Sequence, residues 1–571
     1  MYQKLRYAVI GGILPVMILL LPACQPDAEQ KVVSESVVEI LLVHNARIYT
    51  GDAGFSLIEN GALAISEGGE IVALGDSQLM LRTFPKAQRV DMGGKLILPG
   101  LIDSHGHLSG LALSYTRANL VGTKSKSEVM NRLREFEVTL EDGAWLLGRG
   151  WDQNDWPVQE FPSRRDLNAE FPDRPVWLKR IDGHAAWGND TAMAQADRDL
   201  SGNWQPEAGA ILRDEGGQAS GVFIDGAMSL IDSAVPDISP DVLSSALDQA
   251  IWTLNSLGLT SVHDPGIDRK TAELYLEKIR TGKFPLRVYA MADGMNETLD
   301  WLCENGPVND PSGRLVMRAV KLYGDGALGS RGAALLADYS DDPGNSGLLF
   351  AAPQELEAHM RQVMACGLQV GIHAIGDAGN RQALDAFEKL VADFPDNPGR
   401  HRIEHAQILQ VGDIPRFAGL GIIAAMQPTH ATSDMYWAAE RLGEERLQGA
   451  YAWRSLLDSG ATLAFGSDFP VEAVNPMHGI SAAVTRRDLQ GWPENGWYPE
   501  QAVSREEAIR AFTLDAAFAA FMEGQVGSLE VGKRADFIVL DRDIFAVPEE
   551  EIHKLVVEQT WLDGMPVYLR E

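Results

Sequence analysis

His105 and His107 stand two residues apart in KLILPGLIDSHGHL. On a strand that spacing puts both imidazoles on one face, where they can converge on a single metal ion. Further along, Lys321 in MRAVKLYGDG, His373 in LQVGIHAIGD, His405 in HRIEHAQ and Asp468 in ATLAFGSDFP each sit in or just after a hydrophobic run. Imidazole nitrogen and carboxylate oxygen are ligands that zinc takes readily. Taken singly, each residue also has an ordinary reading, as a hydrogen-bonded core histidine for His373 and His405 or a helix N-cap for Asp468. Lys321 is the unusual member, because an unpaired ammonium within an apolar strand is costly. Neighbouring cations push a lysine pKa down from about 10.4. The neutral amine can then add carbon dioxide to give a carbamate, whose two oxygens can bridge two metal ions. The alternatives for Lys321 are an ion pair with Asp325 or a side chain that snorkels out of the barrel.

The elements that must carry these groups are eight apolar runs: the five just quoted, with LTSVHDPG, LRVYAMADG and GIIAAMQP. Short runs rich in branched aliphatics, separated by helix-length segments, indicate parallel strands alternating with helices. Eight such units close into an α/β fold, the (β/α)8 TIM barrel, whose active site lies at the C-terminal strand ends. The barrel is expected over residues 99–523. Alternating β runs at 38–98 return at 524–571, and together they predict a β-sandwich domain built from both ends of the chain, with Gly68-Gly69 as a hairpin turn. Ser504 and Glu507 form a capping box that opens a helix. The stretch from about 114 to 248 is too long for one βα connection, so it is read as an inserted subdomain after the first barrel strand.

Composition removes several classes of function. The 571 residues carry 49 Lys plus Arg against 80 Asp plus Glu, a formal net charge of −31, so nucleic acid is a poor partner. With 45% hydrophobic residues and a mean hydropathy of −0.11, the body is neither disordered nor a multi-span membrane protein. Three cysteines do not make a disulfide framework, and Cys303 and Cys366 are read as core residues.

The start of the chain has a separate task. Residues 1–23 carry Lys4 and Arg6, then an apolar stretch, then Leu21-Pro22-Ala23 before Cys24, the layout of a signal peptide. The ending resembles the lipobox of bacterial lipoproteins, in which Cys24 becomes the acylated N-terminus; the plainer readings are an ordinary cleaved signal or an uncleaved anchor. Gln25 rather than Asp implies sorting to the outer membrane of a Gram-negative bacterium. Residues 24–37 are then a tether, and the body is expected to be exported and held on the periplasmic side of that membrane.

The combination of HGH, Lys, His, His and Asp on successive strands, with LILPGLIDSHGHL in front and VGKRADFIVLD behind, resembles the amidohydrolase superfamily. KLYGDGALGSRGA, GIHAIGDAGN, RIEHAQ and DGHAAWGN are similar to its YtcJ-like branch, amidohydrolase family 3, which includes N-substituted formamide deformylase. The resemblance implies two divalent ions per chain, most often zinc. His105, His107 and Asp468 would hold the more buried ion, His373 and His405 the more exposed one, and N6-carboxylated Lys321 would bridge them. A hydroxide shared by the ions would attack the substrate carbonyl, with Asp468 as general base and then general acid.

The expected reaction is hydrolysis of a C–N bond in an amide or N-substituted formamide. Hydrolysis of a cyclic amide, carbamate or ester at the same centre, and a lipoprotein that binds a solute without turnover, are the rivals. His184 in DGHAAWGN is the candidate to meet the developing oxyanion. Asp264, Tyr323, Asp325 and Arg331 follow strand ends and are candidates either to line the mouth or to support the residues that do. Trp151, Trp156 and Trp187 are candidates for an apolar substrate pocket, the commoner reading of such tryptophans being the core of the inserted subdomain. The partners expected are a small amide-like substrate and a membrane surface, and a homodimer is left open.

Overall fold

The computed structural model describes residues 39–181, 183, 185–206 and 209–571; the signal, the tether and Cys24 lie outside the described residues, as does His184. The eight apolar runs become eight parallel strands: β1 (Leu101–Asp103), β2 (Leu259–Ile267), β3 (Arg287–Asp293), β4 (Leu315–Tyr323), β5 (Gln369–Ala374), β6 (Arg402–His405), β7 (Ile423–Met426) and β8 (Leu463–Phe465). They pair in chain order. The first and last strands approach one another where Ser104 N–H donates to Phe465 C=O at 3.0 Å, and Asp103 accepts the Ser467 hydroxyl at 2.7 Å. The sheet is thus an almost closed (β/α)8 barrel. Nearly every strand residue is buried, as expected for parallel strands covered by helices on one side and filled by side chains on the other.

Two glycines are required by close approach at the β1–β8 seam. A Cβ on Gly106, between the two histidines, would lie 2.2 Å from the Phe469 ring. One on Gly466 would lie 2.5 Å from both Asp103 Oδ1 and His105 N. The HGH and FGSD motifs therefore interlock.

Both ends of the body contribute to one eight-stranded sheet in which Phe537–Leu540 pairs with Leu96–Pro99, and Ile40–Tyr49 lies beyond it. Val43, Leu63, Ile97, Phe537 and Trp561 share its core. Arg287, at the start of β3, is almost fully buried and is clamped by Asp536 at 2.7 and 3.0 Å and by Asp563. This sheet is thereby tied to the barrel floor. The Gly69 turn has a positive φ, joining antiparallel strands, and the Ser504–Glu507 capping box forms with both of its hydrogen bonds.

Between β1 and the long helix Pro240–Ser256 that precedes β2, the chain forms a separate six-stranded sheet with its own hydrophobic clusters. Here the sequence expectation for Trp151 needs correction. Trp151 is fully buried, packs against Trp156, Trp187 and Phe161, and donates its Nε1–H to Leu178 C=O at 2.8 Å. It builds the core of the insert and presents no face to a substrate; Trp156 and Trp187 belong to the same core.

The cysteines also differ from expectation. Cys303, exposed on the helix Glu297–Asn305, is disulfide-bonded to half-buried Cys366 at the end of the helix Pro353–Ala365. The helices after β3 and β4 are neighbours around the barrel, which brings together two residues that are 63 apart in sequence. Among the described residues no helix is long and apolar enough to cross a membrane.

Candidate metal centre

At the C-terminal end of the barrel the strand register gathers the predicted groups. Lys321 on β4 lies beside Gly371 on β5, Tyr323 beside His373, and Ala374 beside His405 on β6. His105 Nε2 and His107 Nε2 lie 3.6 and 3.1 Å from the same Asp468 oxygen. The His405 ring centroid is 4.7 Å from that of His105 and 4.6 Å from that of His373. Lys321, 2% exposed, brings Nζ to 3.3 Å from His105 Nε2 and makes no ion pair among the described residues. It neither snorkels nor pairs with Asp325. No helix begins at Asp468 either, since the next one starts at Pro476 behind the Asn475 cap. His405 and Asp468 both have positive φ, 75° and 62°, so each side chain leaves its strand end on a sharp backbone reversal. Such backbone is costly for residues other than glycine, and it concentrates at functional sites.

Burial and neighbouring charge arrange the protonation states that ligation needs. Burial, reinforced by Lys321, holds His105 well below the usual imidazole range and brings His373 down to about 4. His405 is depressed mainly by burial, then by the other imidazoles. Lys321 is lowered, again chiefly by burial. Burial opposes the charge of Asp468, but the hydrogen bond from His107 and the surrounding imidazoles outweigh it and keep the carboxyl well below its ordinary value. His107 differs, because burial lowers it but its hydrogen bond to Asp468 outweighs burial and raises it. Neutral imidazole beside an ionised carboxylate, the form His105, His373 and His405 are held in, is the form that coordinates a divalent ion. His373 Nε2 is buried and lies 3.6 Å from Asp325 Oδ1, beyond hydrogen-bond reach, whereas the ligand atoms of His105, His107 and Asp468 all lie within 4.8 Å of one another. The donor set fits a metal.

Several residues that the sequence reading passed over hold this set in place. Glu404 takes His105 Nδ1–H and is itself gripped by Arg402 at 2.6 and 2.9 Å; Arg402 also contacts His263 Nδ1 at 2.8 Å. All four side chains are buried. Because Nδ1 of His105 donates to a carboxylate, its Nε2 lone pair faces the centre, and the bond also makes that nitrogen more basic. Gln427 does the same for His405, accepting from Nδ1 at 2.8 Å. Glu404→Gln keeps the shape and removes the charge. It is expected to weaken metal affinity by about 10–100-fold, measured by competition with a coloured chelator.

The candidates for the mouth separate into two kinds. Tyr323 is 43% exposed at the rim, with Lys321 Nζ 5.4 Å from its ring and its hydroxyl donating to Asp293 at 2.8 Å. Asp325 is buried and accepts three backbone N–H groups, from Ala334, Ile375 and Gly376, at 2.8–2.9 Å. Burial raises its pKa to about 7. It pins the loop after β4 to the loop after β5, and its Oδ1 lies 3.6 Å from His373 Nε2. Arg331 is held by both oxygens of Asp341 at 2.8 and 3.0 Å. Asp264, also buried, receives the Tyr275 hydroxyl at 2.7 Å and the Leu108 N–H at 3.2 Å, so it fixes the start of the helix that follows HGH.

Known proteins share this architecture. A model of the amidohydrolase family matches residues 88–568. YtcJ of Bacillus subtilis (strain 168), which carries the name of an amidohydrolase, is 32% identical over 91% of this chain and 99% of its own length. The N-substituted formamide deformylase of Arthrobacter pascens is 29% identical over 93% of this chain and 98% of the relative. Among solved structures, an uncharacterized metal-dependent hydrolase from Pyrococcus horikoshii OT3 superposes with a TM-score of 0.75 at 30% identity, covering 90% of this chain and 99% of that one.

Proposed function

This chain belongs to the amidohydrolase family and is a metal-dependent hydrolase acting on carbon–nitrogen bonds, and from that premise we propose that its substrate is a small amide, with an N-substituted formamide as the first choice. The observation that carries the reading is the convergence of His105, His107, His373, His405, Lys321 and Asp468 on one barrel mouth, with the Asp468 carboxyl held well below its ordinary value. His105, His107 and Asp468 would hold one divalent ion, zinc being the first choice. His373 and His405 would hold a second, with Lys321 as its N6-carboxylate between them. Bound ions supply Lewis acidity, which polarises a carbonyl and makes water a stronger acid. Asp468 is placed to accept the proton released by that water and to return it to the departing amine. The formamide choice is supported by the relative in Arthrobacter pascens, whose name states that activity.

The same reading has the body exported and lipid-anchored through Cys24, on the periplasmic side of an outer membrane. The Cys303–Cys366 bond supports this, since disulfides persist in oxidising compartments.

The test is metal content per chain by elemental mass spectrometry on protein purified without chelators, followed by a screen of N-formyl and N-acyl amines. About two zinc-like ions per chain and hydrolysis lost on chelation and regained with metal are expected. Absence of metal after reconstitution, or turnover confined to esters, overturns the proposal.

A further inference from the structure

His430 is the imidazole at the mouth that has no task so far. It lies on the helix Pro428–Asp434 that follows β7, is 8% exposed, and its Nε2 has no hydrogen-bond partner. Its ring runs nearly parallel to that of His405, 17° apart with centroids at 6.0 Å. Its Nε2 faces Asp468 Oδ2 at 3.8 Å, whereas the other carboxylate oxygen, Oδ1, faces His107 and His105. Two groups of ligand atoms therefore meet at one carboxylate. His105, His107 and Asp468 form the first, His405, His430 and Asp468 the second, and within each all the atoms lie inside 4.8 Å of one another. Ligands at about 2.0–2.1 Å from a tetrahedral zinc ion stand roughly 3.4 Å apart. Both groups are already close to that spacing.

The far nitrogens of the two rings support ligation. His405 Nδ1 donates to Gln427 Oε1 and leaves the Nε2 lone pair free. His430 Nδ1 meets the side-chain amide of Gln407 at 2.8 Å. Turning that amide end for end exchanges nitrogen for oxygen in the same volume and gives His430 the arrangement that His405 has. Histidine ligands nearly always donate their second ring N–H in this way.

Resting on the metal-dependent reading above, we propose that His430 is a further ligand of the second ion, beside His405 and Asp468 Oδ2, so that the Asp468 carboxylate is shared by both ions. The ion would be a borderline divalent one, zinc or cobalt, suited to imidazole and carboxylate together.

The experiment compares the full-length wild-type chain with His430→Ala and with His430→Gln, which stays close to the native volume. Stoichiometry is read by elemental mass spectrometry and stepwise affinity by the visible absorption of added cobalt. The wild type should bind two ions per chain. Both variants, with unchanged circular dichroism, should keep the first ion and bind the second at least about 100-fold more weakly, since loss of a supporting partner alone costs up to that much. Two ions bound at wild-type affinity in either folded variant overturn the inference. A wild type that binds only one ion overturns it too, while leaving the hydrolase reading standing. A wild type that binds none overturns the reading on which it rests.

Discussion

Replacing Asp468 by Asn should abolish turnover while leaving the fold intact. The substitution preserves volume, and asparagine tolerates the left-handed backbone that position 468 adopts. What disappears is the charge that receives the proton and the anionic oxygen facing His105 and His107. Positioned acid–base groups contribute about 10²–10⁴-fold, and here a metal ligand is weakened at the same time. The expected fall in kcat is therefore at least about 10³-fold, checked by steady-state kinetics with far-UV circular dichroism as the folding control. Full activity in the variant would remove Asp468 as the proton acceptor.

The second large effect concerns Lys321. Its Nζ lies buried among imidazoles, with no carboxylate in an ion pair and its pKa lowered chiefly by burial. A plain ammonium there would only oppose a nearby metal ion. Lys321→Ala is expected to lower metal content toward about one ion per chain and to reduce kcat at least about 100-fold, because a bridging anion is lost from a two-metal site. A short carboxylic acid such as propionate should diffuse into the space left and restore part of both. Unchanged metal content in the variant, or restored activity without restored metal, counts against a carbamate at this position.

The barrel was legible because its strands are hydrophobic on both faces. Runs such as LQVGIHAIGD and ATLAFGSDFP carry the pattern of a buried parallel strand, with the polar residue marking the catalytic end. The candidate ligands stood out only as a set, since each histidine at the end of an apolar run also has a core reading and it is their recurrence at successive strand ends that brings them to one mouth. Three features were not legible, each for a physical reason. Trp151 has the same residue type and local surroundings whether it lines a pocket or fills a core, and only the packing of the insert decides between them. Cys303 and Cys366 meet because two helices are neighbours around the ring, a relation with no local signature. His430 sits on a helix turn past the end of β7, where the two-residue alternation of a strand no longer applies. The signal that could have found it is its place directly after GIIAAMQP, which puts it at the C-terminal rim. Arg402 and Glu404 gave a signal too: two opposite charges inside a short apolar run, spaced to share one face, must satisfy each other within the barrel.

The sheet made from both ends of the body also dictates an order of assembly. Ile97 leaves the ribosome well before its partner Val539, with the whole barrel made between them. Throughout synthesis Leu96–Pro99 therefore waits with one ladder of backbone groups unpaired, and Arg287 waits without Asp536 and Asp563. An open strand edge and an uncompensated cation in the barrel floor invite mispairing with other chains. A chain cut short at Arg534 would keep every candidate ligand and still lack Asp536, Asp563 and the strands that complete the sheet. Completion of this sheet thus depends on the segment after Arg534, far in sequence from the candidate ligands.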